Sequence, residues 1–320
     1  MKPERSDSID VFRGLAVLGM VIANFIAGVI WIPGWLKHAS DIGYTIIDLV
    51  APMFIFAIGL TYAVSARRRL ESDGAWKMMQ HFVARFAAIL GFGALFGAGE
   101  VLLQVDGQVI NWGVLQAIGV AGLVTLVFIH TNTLTRLLSG LALLALYQFL
   151  LQRFWLADVL ASPHGGLYGA VSWSAMLILA TALADLYHRE KPGHSNLIAA
   201  SAIALGLGLA LTLWFPISKN RVSAPYVLVS LGLSGLLFSA FHLLVARLKW
   251  RLSLLVIWGR NPLILYVLHL LLLGFVALPE LPAWYRQAPV WLVVVQGALL
   301  LGILTAIAWW LDKKKKYLSV

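Results

Sequence analysis

The apolar runs constrain this chain more than any other feature, because Val11 to Ile32 and Val290 to Leu311 pass almost without interruption. A helix rises about 1.5 Å per residue, so roughly 20 apolar residues cross a hydrocarbon core of ~30 Å. Inside lipid every backbone N–H and C=O must be satisfied by protein, which leaves only helices and closed barrels. Barrel strands are about 10 residues long and alternate apolar with polar. These runs are longer and continuous, so they predict an all-α, polytopic integral membrane protein. Composition agrees where it decides something: 61% of the residues are hydrophobic and 12% charged, against about 25% charged in soluble domains.

Marking the runs predicts about ten transmembrane helices, near 11–32, 44–66, 83–104, 112–130, 134–151, 167–187, 196–215, 225–246, 254–276 and 289–311. No connection between them is long enough for a soluble domain, so 1–320 reads as a single membrane domain. The first run is expected to remain as a span, since it is long, lacks a small-residue cleavage site and carries Arg13 and Asn24.

Orientation follows from Lys and Arg. One set of segments carries Lys2, Arg5 and Arg13; Arg67 to Arg69, Lys77 and Arg85; Arg136; Arg189 and Lys191; Arg247, Lys249, Arg251 and Arg260; and Lys313 to Lys316. The other set has Lys37, Arg153, Lys219, Arg221 and Arg286, five of the 24. Positive residues gather on cytoplasmic loops, so both termini are expected in the cytoplasm. The net charge of +10 is then mostly a topology signal. It implies contact with anionic membrane lipids and no nucleic-acid partner. The chain has no cysteine, which excludes disulfides, thiolate metal sites and a cysteine-borne acyl intermediate. No metal site is expected.

Polar groups within spans are costly and are functional candidates. Ordered by depth, Asn24, Asp48, Glu100, Gln116 and His269 lie toward the outer face, with His38 in the loop just outside the first span. Arg13, Arg85 and Arg260 lie toward the inner face, with Asn261 a little deeper. Each also has a plain structural reading. The arginines sit near helix ends, where they snorkel to headgroups. Glu100 can mark an interface, Gln116 can bond a neighbouring helix, and a histidine among leucines can simply pack.

From Lys37 to Gly59 the sequence runs K-H-A-S-D-I-G-Y-T-I-I-D-L-V-A-P-M-F-I-F-A-I-G. This stretch resembles the catalytic region of the heparan-alpha-glucosaminide N-acetyltransferase family, whose pattern is roughly K-H-A-S-W-x-G-x-T-x-x-D-L-V-F-P-x-F-x-F-x-x-G. Weaker resemblances follow in order: R-S-D-S-I-D-V-F-R-G from Arg5, an asparagine at Asn24, G-V-L-Q from Gly113, P-I-S-K from Pro216, and G-R-N-P-L-I-L-Y from Gly259. The chain departs from the pattern at Asp41, where the family has tryptophan, at Ala117, where an arginine often stands, and at Val222-Ser223, where it has Trp-Thr. The Asn24–His38 segment is also a few residues longer. The departures cluster at outer-facing segments, where an acceptor would bind.

The resemblance implies a transmembrane acyltransferase core of bacterial type, in the inner membrane. It would move an acetyl group from cytosolic acetyl-CoA to an amino sugar or glycan on the far side. Acyl-CoA is then a donor substrate rather than a resident cofactor, and the reading leaves room for a homodimer. Arginine suits the donor's phosphates, which assigns Arg13, Arg85 and Arg260 to the donor, with Asn261, Gln116 and His269 as further substrate-binding residues. Acyl transfer needs a base and a donor to the developing oxyanion. His38 fills the first role or carries the acetyl group itself, Asp48 orients it, and Asn24 donates to the thioester oxygen. A transporter or proton-coupled channel would also hold intramembrane Asp, Glu and His, and remains the alternative; no inverted repeat is visible in its favour.

Overall fold

The computed structural model describes residues 7–102, 112–189, 195–247, 249–250, 252–277, 279 and 281–317. Lys2, Arg5, Lys191, Arg251, the side chain of Glu100 and the 105–110 loop lie outside them. Among the described residues the regular structure is entirely helical. The longer helices are α1 (Asp7–Ala27), α2 (Val50–Leu102), α3 (Val114–Phe128) and α4 (Thr133–Leu150). They are followed by a short α5 (Leu156–Leu160), then α6 (Gly166–Arg189), α7 (Ser195–Leu211) and α8 (Ala224–His242). The chain closes with α9 (Ser253–Arg260), α10 (Pro262–Ala277) and α11 (Val290–Lys313).

Six of the described helical stretches are long and apolar enough to cross a membrane, or seven if the bent pair α9–α10 is one span. The expected count of about ten differs for identifiable reasons. The spans expected near 44–66 and 83–104 fall in one helix, α2, broken only at Gly74 (φ 82°, ψ 168°). Those expected near 112–130 and 196–215 are α3 and α7, which have only 15 and 17 residues.

The chain divides into two compact units. The first comprises Met1–Ala39, Thr45–Phe54 and Ala240–Ser319. Within it α1 packs closely on α9 and also meets α10. Glycines make that approach possible: a Cβ on Gly14 would lie 1.9 Å from the Leu255 carbonyl oxygen, and one on Gly259 1.8 Å from that of Asp10. Val17, Val21 and Phe25 of α1, Trp258 of α9, Leu265 of α10 and Leu304 of α11 form the core of this unit. The 88° bend between α9 and α10 falls at Asn261–Pro262. Proline disfavours a helical conformation in the residue before it and lacks an N–H to continue the ladder; Asn261 accordingly leaves the helix at φ −131°, ψ 52°.

The second unit comprises Ser40–Tyr44 and Ile55–Ser239. Helix α6, buried on nearly every side, is its axis, and α3, α4 and α7 pack around it. A buried Arg136–Asp185 ion pair joins α4 to α6, with Thr133 Oγ1 donating to the same carboxylate at 2.5 Å. Such a pair is destabilising if only one partner is removed, because the remaining charge stays buried.

In this unit the 40–44 loop is strapped to the 216–223 loop. Gly43 N donates to Ile217 O at 2.9 Å and Asn220 Nδ2 to Ser40 O at 2.6 Å. Arg221 grips Asp41 through Nε at 2.9 Å and Nη2 at 2.5 Å, and Ser218 Oγ adds a third donor at 2.9 Å. The Arg221 guanidinium holds the Asp41 carboxyl below its ordinary value. The contribution of the pair is therefore present above the unfolded carboxylate pKa of about 3.9 and is lost as pH falls through the folded value. Thermal unfolding of the wild type and Asp41→Asn should differ by about 1 kcal/mol or less at pH 7, and the difference should shrink as pH falls below the ordinary carboxylate range. A difference that grows on acidification would contradict this account of the strap.

Candidate active site

The site is built from two polar pairs in the first unit. The first forms where the chain returns from α1 toward α2. That return is held by backbone and side-chain donors: Ile30 N donates to Arg286 O at 2.9 Å, Trp31 Nε1 to Ala288 O at 2.9 Å, and Lys37 Nζ to Val29 O at 2.5 Å. Immediately after Lys37 comes His38, whose Nδ1 lies 2.7 Å from Asp48 Oδ1.

Asp48 is the third residue of a short 3₁₀ turn, Ile46–Leu49, that leads into α2. Its Oδ2 accepts from Thr45 N at 3.0 Å and from Ala39 N at 3.3 Å, with Thr45 Oγ1 at 3.1 Å. A T-x-x-D spacing lets the acid reach back to the first free N–H of a helical turn. Here that cap also aims the other carboxylate oxygen at the histidine. Since an ionised carboxylate can only accept, His38 carries a hydrogen on Nδ1, and in the neutral imidazole the lone pair is then on Nε2. The His38 side chain is 36% exposed while Asp48 is 0% exposed. One face of the imidazole is therefore open to a reactant, and the group that orients it is shielded.

The second pair joins α1 to α10. Asn24 Nδ2 is 2.9 Å from Nε2 of the fully buried His269. The end of α1 that carries Asn24 is fixed by Tyr285, whose hydroxyl donates to Phe25 O at 2.5 Å.

Arg13, Arg260 and Asn261 lie at the opposite end of α1. Arg13 Nη1 is 3.3 Å from both Asp10 Oδ1 and Gly259 O. Arg260 Nη1 donates to Asp312 Oδ1 at 2.6 Å, and its Nε is 3.9 Å from Asp10 Oδ2. Among the described residues, Arg13 and Arg260 thus pair with the carboxylates of Asp10 and Asp312 at this end. Asp10 is three residues from Arg13, a spacing that brings side chains together on a helix, and was legible. Asp312 was not. Asn261 is buried at the bend.

The two remaining candidates belong to the second unit. Gln116 Oε1 accepts from Gly113 N at 2.9 Å, so from the third position of α3 it reaches back to the residue that caps the helix N-terminus. Arg85 carries its guanidinium 5.7 Å above the Phe86 ring.

A family described as heparan-alpha-glucosaminide N-acetyltransferase, catalytic, matches residues 5–179. That is more than half of the chain. The chain belongs to this family. The matched residues include Asn24, His38, Asp48, Arg13, Arg85 and Gln116, whereas Arg260, Asn261 and His269 follow them. Among curated relatives, the human heparan-alpha-glucosaminide N-acetyltransferase is 41% identical over 69 residues, 22% of this chain and 10% of the relative. The mouse enzyme of the same name is 40% identical over 63 residues, 20% of this chain and 9% of the relative. These matches span about a tenth of the relatives' length. They share a local stretch with this acetyltransferase-family chain rather than an entire architecture.

Proposed function

We propose that this protein is a transmembrane acetyltransferase that moves an acetyl group from acetyl-CoA to the amine of a glucosaminide or related glycan. The observation that carries the reading is the His38–Asp48 pair, with one imidazole face open. The names of the human and mouse relatives support the acceptor class. In the direct mechanism the acceptor amine attacks the thioester carbonyl. His38 Nε2 accepts the amine proton, and Asp48 stabilises the imidazolium through Nδ1–H. Asn24 offers an N–H to the developing oxyanion. Collapse breaks the C–S bond, and the proton passes from His38 to the coenzyme A sulfur. One amide forms and one thiol is released.

The topology that suits this reading has about ten spans with both termini cytoplasmic. The donor would enter at the arginine end of α1 and the acceptor at the His38 end, about 17 Å apart for the 11 residues from Arg13 to Asn24 at 1.5 Å each. Arg13 and Arg260 would serve the donor by exchanging Asp10 or Asp312 for a phosphate, and Arg85, Asn261 and Gln116 would have supporting roles.

The test uses purified protein, labelled acetyl-CoA and a panel of amino sugars and glycans. Label should appear on an amine in step with coenzyme A release. Without acceptor, no label should stay on the protein, whereas an acyl-histidine carrier would retain it stoichiometrically. Asp48→Asn should keep measurable transfer, because the base remains but loses its orienting charge. Absence of transfer to any amine, together with no binding of acetyl-CoA, would remove the reading.

A further inference from the structure

His269 was expected among the substrate-binding residues, yet it is fully buried and bonded to Asn24. The chemistry of the contact assigns its direction. An amide nitrogen donates and has no lone pair to accept with, so the bond from Asn24 Nδ2 requires an unprotonated His269 Nε2. The imidazole is then neutral with its hydrogen on Nδ1, which among the described residues has no hydrogen-bond partner.

The amide of Asn24 has two chemically opposite ends of nearly equal shape. Rotating it by half a turn exchanges Oδ1 with Nδ2, and packing alone scarcely distinguishes the two. An acceptor fixed on a buried helix does distinguish them. With one N–H held by His269, the second N–H on the same nitrogen points away at a defined angle, and Asn24 is half-buried rather than enclosed.

We propose that His269 is a positioning residue: by accepting at Nε2 it fixes the Asn24 amide so that the second N–H is presented to the acyl oxygen of the donor. The inference rests on the acyl-transfer reading above, and assigns His269 neither proton transfer nor direct contact with acyl-CoA. A leucine would fill this place among the leucines of α10 at less desolvation cost. The imidazole is needed because a hydrocarbon cannot hold an amide in one of its two orientations.

Four variants and a spectrum test it. His269→Leu removes the acceptor, His269→Gln restores one through its carbonyl oxygen, and Asn24→Ala and Asn24→Ala/His269→Leu complete a double-mutant cycle. Removing an oxyanion donor costs on the order of 10²–10³-fold in kcat, so Asn24→Ala should fall in that range. His269→Leu should lose part of that, on the order of tenfold to hundredfold, with the KM for acetyl-CoA nearly unchanged. His269→Gln should recover most of the loss. In the Asn24→Ala background His269→Leu should cost nothing further.

A full additional loss in that background, or wild-type turnover in His269→Leu, would overturn the proposal. Wild-type turnover in Asn24→Ala would overturn it together with the role given to Asn24. The ¹⁵N spectrum of histidine-labelled protein reports on the pair without turnover. It should show the Nδ1–H form of His269, perturbed in Asn24→Ala. An Nε2–H form would mean the amide is turned the other way, and the proposal falls even if acetyl transfer is established. An Nδ1–H form in a protein that transfers no acetyl group would leave the positioning intact and sink the acyl-transfer reading instead.

Discussion

His38→Ala should lower acetyl transfer by about 10²–10⁴-fold, the usual contribution of a general base, while the protein folds and binds acetyl-CoA as before. Folding is spared because the ring is partly exposed and Asp48 loses only one of its donors, keeping those from Thr45 and Ala39. The comparison that separates chemistry from geometry is Asp48→Leu. It leaves the part-buried Thr45 and Ala39 N–H groups without their acceptor, each lost bond costing about 0.5–1.5 kcal/mol. Asp48→Leu should therefore lower both activity and melting temperature, and His38→Ala activity alone. Added imidazole should restore part of the lost turnover in His38→Ala. Near wild-type turnover in His38→Ala with a verified acceptor would sink both the base and the carrier versions.

Gly259→Ala should destabilise the protein by about 1–3 kcal/mol, the range typical of overpacking. In an ordinary helix the same change stabilises, since alanine is the better helix former by up to about 1 kcal/mol. The sign reverses because the new Cβ would stand 1.8 Å from the Asp10 carbonyl oxygen, a backbone atom that cannot turn aside. Gly302→Ala on α11 is the control, since nothing lies within 4 Å of its Cβ, and it should be neutral or slightly stabilising. Thermal melting of the three proteins in the same detergent checks this. A Gly259→Ala protein at least as stable as the wild type would show that α1 and α9 do not approach as closely as described.

Helical class and membrane character were legible because they depend on run length, which hydropathy reports directly. Rotation about each helix was not. Depth ordering put Asn24 and His269 on one level, but 245 residues separate them, and nothing local says that their side chains face each other. Arg13 and Arg260 were read as a basic rim because their depth was visible, while Asp312, which takes up Arg260, lies 52 residues away on another helix. Gln116 is the converse case: its bond from Gly113 N is a local, three-residue relation that the spacing carries. Thr45 was missed as a partner of Asp48 although the T-x-x-D spacing carries the signal. The Asp41–Arg221 strap joins positions 180 residues apart, so the polar substitution at Asp41 gains its meaning only from the fold. The number of helices and the number of crossings differ for a related reason, since a single glycine such as Gly74 can separate two helical segments without a long loop between them.

That glycine, Gly74, has a practical consequence. Its φ is 82°, no atom crowds the place where a Cβ would stand, and the residues from Glu71 to Lys77 are exposed. A chain can be lengthened at such a point with little penalty, because closing a longer loop costs only about 0.6 kcal/mol per doubling and no packed surface is disturbed. Residue 74 is therefore the natural seam for inserting a rigid soluble partner as a marker for particle imaging, or for expressing the protein as two fragments that reassemble in the bilayer.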